Sequence, residues 1–266
     1  MKFAVGFVLG QHPSSRSVLR EVFEHLRRAG AGVSTWVCSD GGPVPEELAE
    51  ARAVALRGPN AQGLDVARRL EAAGARCCNA PEVTARASDK AVVVDALTSA
   101  GVPVPPSVLV SSWGDVLVAA GAGPIVVKMV DGSGGTGVLL AGPEGLPVSA
   151  PFPGPFLVQE RLSHDGPDRK IFVVGPRIWG LLRPWPASRP ADKLGRPFDP
   201  TPEDTVVAAA AGRALGLEVF GVDLVPTPRG PVVVDVNPFP GFKGVDGAAL
   251  AIAGRLLTLA RAEFAA

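Results

Sequence analysis

The sequence predicts a small α/β unit followed by a larger α+β unit built on antiparallel sheet. Three observations carry that prediction. Over residues 1–80, short apolar strands alternate with amphipathic helices across short links, the pattern of a parallel sheet covered by helices. After about residue 105 the strands come in hairpin pairs instead. With 47% hydrophobic and 20% charged residues, the 266-residue chain can build a real core, and wholesale disorder is excluded.

The elements follow in order. Residues 2–9 are an apolar run, read as a first strand. Residues 15–29 carry Val18, Leu19, Val22, Phe23 and Leu26 at helical spacing. Val33–Val37 and AVALRG (53–58) are the next strands. NAQGLDVARRLEAAG (60–74) is an amphipathic helix stopped by Gly74, and ARCCN is a short fourth strand, so this unit closes near residue 80. A short helix and a longer one ended by Gly101 come next. Then PIVVKMV pairs with GVLLA, RKIFVVG with RIWGLLR, and LEVFGVDLV with PVVVDVN. TPEDTVVAAAAGRALG opens with Thr201 as N-cap, Pro202 in the first turn and Asp204 three residues on. A last helix spans about 245–263, and no internal repeat is visible.

Composition excludes several classes. A formal net charge of zero gives no global electrostatic case for nucleic acid or an anionic membrane. Cys38, Cys77 and Cys78 are too few and too clustered for a disulfide framework, and no Cys/His spacing fits zinc. Reduced thiols and a cytoplasmic location are expected. No uncharged apolar run reaches the roughly 20 residues that cross a bilayer. MKFAVGFVLG lacks a small-residue cleavage site and is read as a strand, not a signal peptide.

VVVDVNPFPGF (232–242) raises the chemical question. Asp235 and Asn237 lie two apart on a strand, so they share a face. Asp223 sits on the preceding strand. A three-residue loop, Pro228-Arg229-Gly230, would centre the pairing on Arg229 and set Asp223 opposite Asp235. Two carboxylates and an amide then converge and need a counter-charge. A hard cation whose remaining ligands are phosphate oxygens and water, such as Mg²⁺ on a nucleotide, meets that need. The competing reading is that Asp235 and Asn237 cap the NPFPG turn and Asp223 meets an arginine.

Positive charge and backbone donors are nearby in sequence. Lys128 is mid-strand in PIVVKMV, and Ser133-Gly134-Gly135-Thr136-Gly137 follows. Such a loop can turn N–H groups toward an anion, though an ordinary hairpin loop has the same composition. It has no Walker lysine, so it is neither a P-loop nor a Rossmann turn. Lys90 starts a helix, against the dipole, which makes sense beside an anion. FLVQERL (156–162) ends in polar residues whose backbone could meet a purine edge, and Asp168 could accept from ribose hydroxyls. Lys170 and Arg183, from paired strands, would share a sheet face and suit phosphate or a carboxylate substrate.

The order Asn-x-Pro, Asp-Lys, Val-Val-Lys with a glycine-rich loop, Gln-Glu, Phe-Val-Val-Gly, Gly-Val-Asp and Asp-Val-Asn-x-x-Pro-Gly resembles the ATP-grasp superfamily over roughly residues 50–245. The likeness is to the branch of ribosomal-protein glutamate ligases and lysine-biosynthesis ligases. It implies a pre-ATP-grasp α/β domain (1–80) and an ATP-grasp domain (81–266), with a small lobe of about 106–158 and a large lobe of about 159–266. It implies ATP and Mg²⁺ (or Mn²⁺) as cofactors. Lys90, Lys128 and Ser133 to Gly137 match the phosphate-binding positions. Glu160, Arg161 and Leu162 match the adenine hinge, and Asp168 the ribose-side acid. Asp223, Asp235 and Asn237 match the metal ligands.

The chain departs from those ligases in three places. Asp235 stands where they usually carry Glu, and Lys170 where they usually carry Arg; both are similar to inositol phosphate kinases. Their Arg-x-Asn segment is not recognisable in PWPASRPADKLGRPFDP; Arg183 just before it, and Arg189, Lys193 and Arg196 within it, are the candidates to replace its charge. AGPEGLPVSAPFPGP is short and Pro/Gly-rich, so a helix often found there is expected to be missing.

The leading expectation is an ADP-forming carboxylate–amine ligase, with Arg183 stabilising the transferring phosphoryl group and Lys170 contacting substrate. A small-molecule kinase and a non-catalytic Mg-ATP-binding protein are the alternatives. Expected partners are a small-molecule or peptide carboxylate and an amine, with a homo-oligomer left open. GQHPSSR faces the carboxyl ends of the parallel strands, so His12, Ser15 and Arg16, with Arg57, are candidate substrate contacts.

Overall fold

The computed structural model describes residues 3–15, 17–132, 137–141, 145–163, 166–184 and 194–262. Its first unit runs β1 (Ala4–Leu9), α1 (Val18–Arg28), β2 (Gly32–Val37), α2 (Glu46–Ala49), β3 (Ala51–Arg57), α3 (Ala61–Ala72) and β4 (Arg76–Cys78). The strands form a parallel sheet in the order β2-β1-β3-β4. Caps set the helix starts more narrowly than periodicity did. Ser17 accepts from the Leu19 N–H and Asn60 from the Gly63 N–H, so α1 begins at Val18 and α3 at Ala61.

Two short helices, α4 (Pro81–Ser88) and α5 (Lys90–Ser99), lead into a four-stranded antiparallel sheet. It contains β5 (Ser107–Val110), β6 (Ile125–Met129), β7 (Val138–Ala141) and β8 (Phe156–Glu160), in the order β5-β8-β6-β7, with α6 (Trp113–Ala120) packed against it. Residues 145–155 contain no helix, as expected of that Pro/Gly-rich stretch.

A five-stranded antiparallel sheet follows: β9 (Asp168–Val174), β10 (Arg177–Arg183), β11 (Arg196–Phe198), then α7 (Pro202–Leu215), β12 (Val219–Thr227) and β13 (Gly230–Pro238). Its order is β11-β10-β9-β12-β13. All three predicted hairpins pair as antiparallel strands. The capping box of α7 forms as read, with Thr201 and Asp204 bonded reciprocally. Asp204 is fully buried and also takes both contacts from Arg169 Nη1, at 3.0 and 3.1 Å. The last helix, α8 (Ala248–Arg261), is shorter than the predicted 245–263, because Gly247 sits in the left-handed region just before it.

The five-stranded sheet has two unlike faces. Ile171, Val173, Phe220, Val222, Leu224 and Val233 face α5 and α7. On the opposite face Phe172, Val174, Leu181 and Val219 join the core that α8 shares with α1, β1 and β3. Strand alternation puts Asp168, Lys170, Arg183 and Asp223 further along that second face. Asn79 stitches the first unit to the sheet. Its amide nitrogen donates to the Val219 carbonyl (2.8 Å), and its oxygen accepts from the Glu218 and Val219 N–H groups (2.8 and 3.0 Å).

Candidate active site

The floor of the site is made by one irregularity in β13. The β12–β13 hairpin turns on Pro228-Arg229 alone, with Thr227 paired to Gly230. The predicted three-residue loop is therefore corrected to two. An extra residue in β13, Val234, makes up the difference: Leu224 pairs with Val233 and Asp223 with Asp235. Val233 and Val236, three apart, consequently both reach the same core. Asp223 and Asp235 end up directly opposed, as the sequence led us to expect, by a different route.

The bulge also turns the Val234 carbonyl toward β6, where it accepts from Lys128 Nζ at 2.6 Å. Lys128 is 7% exposed, set among Val126 and Val127 in mid-strand. Burial pushes its pKa down, Asp235 pulls it back up, Lys90 lowers it, and Asp223 and Asp168 raise it. One ammonium thus senses charges from α5, β9, β12 and β13 at once.

The other basic residues divide their roles. Lys90 opens α5 and is tied to the segment entering the glycine-rich loop. Its N–H donates to the Val130 carbonyl at 3.0 Å and its ammonium bonds the Gly132 carbonyl. Ser133, Gly134, Gly135 and Thr136 lie outside the described residues, as do Arg16, Arg189 and Lys193. Gly137 re-enters with φ 69°, and its carbonyl accepts from the Met129 N–H at 2.7 Å. Lys170 forms an ion pair with Asp223. The competing reading had an arginine there.

Arg183 pairs with Asp168 across the β9–β10 ladder and donates to the Lys243 carbonyl at 2.9 Å. Its guanidinium lies 5.5 Å from the Phe172 ring centre, and its Nε is buried with no hydrogen-bond partner among the described residues. Burial lowers its pKa and Asp223 raises it. Asn237 Nδ2 donates to Asp235 Oδ2 at 2.9 Å, which turns its Oδ1 away from that bond. Among the described residues no three His, Cys, Asp or Glu side chains gather as a metal centre. In the loop after β13, Phe239 and Phe242 are both buried at positive φ (49° and 47°), with Phe242 packed 5.2 Å from Phe172.

Above this floor is a narrow pocket of about 10 Å³ whose wall includes Lys90, Val93, Leu97, Lys128, Leu157 and Asp235. Sequence reasoning missed the apolar part of that wall. The signal was α5 itself, KAVVVDALTS, which is apolar on more than one face. It also assigned no role to Gln159, buried and donating to Ser107 Oγ at 3.0 Å. In the expected hinge, the Glu160 and Arg161 N–H groups are spent on Pro106 and Pro124 (2.9 and 3.0 Å), and Leu162 is half-buried.

The candidate substrate contacts are not gathered into one place. His12 bonds Asp40 at 2.7 Å, both exposed, and Ser15 is exposed. Arg57 is half-buried between Ser17 and Gly241.

Two antiparallel sheets thus meet at a lysine-lined pocket, closed below by paired carboxylates. The model of the RimK-like ATP-grasp domain matches residues 87–259, and the chain belongs to that family. A probable alpha-L-glutamate ligase of Xanthomonas campestris is 34% identical over 200 residues, covering 70% of this chain and 69% of that one. One from Sodalis glossinidius is 31% identical over 219 residues, covering 76% and 74%.

Among solved structures, a RimK domain ATP-grasp protein from Sphaerobacter thermophilus superposes with a TM-score of 0.71 at 20% identity, over 96% of this chain and 99% of that one. D-cycloserine synthetase DcsG gives 0.74 at 19%, over 97% and 100%. The ATP-grasp ligase PsnB, complexed with a precursor peptide and AMPPNP, gives 0.71 at 19%, over 98% of each chain.

Proposed function

We propose that this protein is an ATP-dependent carboxylate–amine ligase acting on a small molecule or a peptide. The observation that carries the reading is the meeting of Lys128 with Asp235 and Asp223 across the cleft. The names of the relatives support it: glutamate ligases in sequence, and a peptide-bound ligase and a synthetase in structure.

In this reading residues 1–80 are the pre-ATP-grasp unit, and the lobes of 106–158 and 159–266 clasp ATP. Leu162 supplies the hinge N–H, since those of Glu160 and Arg161 are already spent. Asp168 takes the ribose side. Lys128 and Lys90 neutralise phosphate oxygens, with the loop of 133–137 above them.

Asp223, Asp235 and the amide oxygen of Asn237 are hard oxygen donors on one face, and they fit Mg²⁺ or Mn²⁺. When bound, such an ion supplies charge neutralisation to the nucleotide's phosphates. Lys170 is the ammonium that holds Asp223 in place of that charge.

Phosphoryl transfer needs alignment and charge cancellation, not a nucleophilic side chain. A substrate carboxylate oxygen attacks the γ-phosphorus, and ADP leaves with the electron pair of the broken P–O bond. The amine then attacks the acyl carbon, loses a proton to solvent and expels phosphate. Arg183, whose Nε is buried without a partner among the described residues, would bond the transferring phosphoryl group and then the oxyanion.

A cytoplasmic location fits this reading, since a reducing compartment keeps Cys38, Cys77 and Cys78 as thiols. The test is ADP release from acid–amine pairs with hydroxylamine present. A hydroxamate is the expected product. ADP with a phosphorylated alcohol and no hydroxamate means the kinase alternative; tight Mg-ATP binding without ADP release means a binding protein.

A further inference from the structure

Arg57 closes β3, an inner strand of the parallel sheet, at its carboxyl end, where such sheets receive ligands. Its place is fixed from three directions. Its carbonyl accepts from the Gly10 N–H at 2.9 Å. Its Nη1 donates to Ser17 Oγ at 3.2 Å. Its Nη2 lies against Gly241, so close that a methyl added there would sit 3.4 Å away. Yet no carboxylate pairs with it among the described residues. Burial lowers its pKa, and no acid among the described residues opposes that effect.

A guanidinium drawn out of water and bonded only to a hydroxyl is a costly arrangement unless an anion arrives from outside. Its planar fork suits a carboxylate. The loop it touches is the same loop that holds Arg183: Gly241 faces Arg57, and two residues on the Lys243 carbonyl accepts from Arg183. That loop springs from the strand carrying Asp235 and Asn237.

We infer that Arg57 binds a substrate carboxylate that does not react, so that the substrate lies along residues 238–244 with its reacting end at Arg183. This rests on the ligase reading and narrows it. At least one substrate carries a free carboxylate beyond the group that forms the amide, as a dicarboxylic acid or an amino acid does.

The experiment measures binding to the full chain with Mg-AMPPNP present. Glutarate is compared with its monoamide for the acid side, and β-alanine with β-alaninamide for the amine side. On one of the two sides wild type should prefer the carboxylate about tenfold, the value of a charge-assisted hydrogen bond. Arg57→Gln should erase that preference, Arg57→Lys should keep part of it, and Mg-AMPPNP affinity should stay unchanged in both. The side that responds identifies which substrate bears the group. No preference in wild type on either side, or a preference that survives Arg57→Gln, overturns the assignment. Wild type that fails to bind Mg-AMPPNP refutes the underlying nucleotide site instead.

Discussion

Asp235→Asn removes one charge and almost no volume. The new amide oxygen can still accept from Asn237 Nδ2, so the 2.9 Å bond that orders the strand end persists. Two things are lost. Lys128 loses the carboxylate that does most to offset its burial, and is left with Asp168 and with Asp223, itself paired to Lys170. The oxygen set on the floor of the cleft also loses one of its two negative charges. Removing one preorganised electrostatic contact to a transferring group costs about 3–4 kcal/mol, or about 10²–10³ in rate. The fold should lose only about 1–2 kcal/mol, because Lys128 keeps the Val234 carbonyl. The assay is coupled ADP release at saturating Mg-ATP on a pair that wild type turns over, beside a circular dichroism melt. Turnover within about threefold of wild type, from a folded variant, would refute the role given to the carboxylate pair.

Three further outcomes follow from the packing. Burial pushes the Cys77 and Cys78 thiols up to about 12, from an ordinary value near 9.0. The folded state then holds protons that the unfolded state gives up, so stability is intact below pH 9 and falls toward pH 12. The slope is about 1.4 kcal/mol per pH unit for each thiol, and a Cys77→Ala, Cys78→Ala variant should show a flatter alkaline decline in urea titrations. Asn79→Ala strands the backbone groups it bridges at Glu218 and the buried Val219, and should cost about 2–4 kcal/mol in urea; a loss under about 0.5 would show they find other partners. Gly10→Ala places a methyl 1.8 Å from the Gly58 carbonyl oxygen, where neither backbone can yield cheaply. It should destabilise by about 2–4 kcal/mol, and a melting temperature equal to wild type would contradict that crossing.

The hairpins, the capping box of α7 and the opposition of Asp223 to Asp235 were legible because each is set by neighbours in sequence: turn residues, cap residues and strand alternation. The bulge was not. A three-residue turn and a two-residue turn plus one extra residue give the same register, and only the ladder distinguishes them. Nor was strand order legible. Nothing in FLVQE says that β8 lies between β5 and β6, or in LEVFGVDLV that β12 lies beside β9, since those pairings are made across long intervals of chain. Within the site, charge type was readable at Lys90, Lys128 and Lys170, but partner choice was not. Lys90 takes the Gly132 carbonyl and Lys170 takes Asp223, and both depend on which sheets meet.

The helix α8 packs against α1 and β3, so the last helix described completes the hydrophobic face of the first sheet. Residues such as Phe7, Ala53 and Ala55 share a core with Ile252 and Leu256, made some two hundred residues later. As the chain leaves the ribosome its leading sheet must therefore wait, one side bare, through most of synthesis. Nascent chains stalled short of residue 248 should be the ones that recruit chaperones, and those released beyond 261 should not.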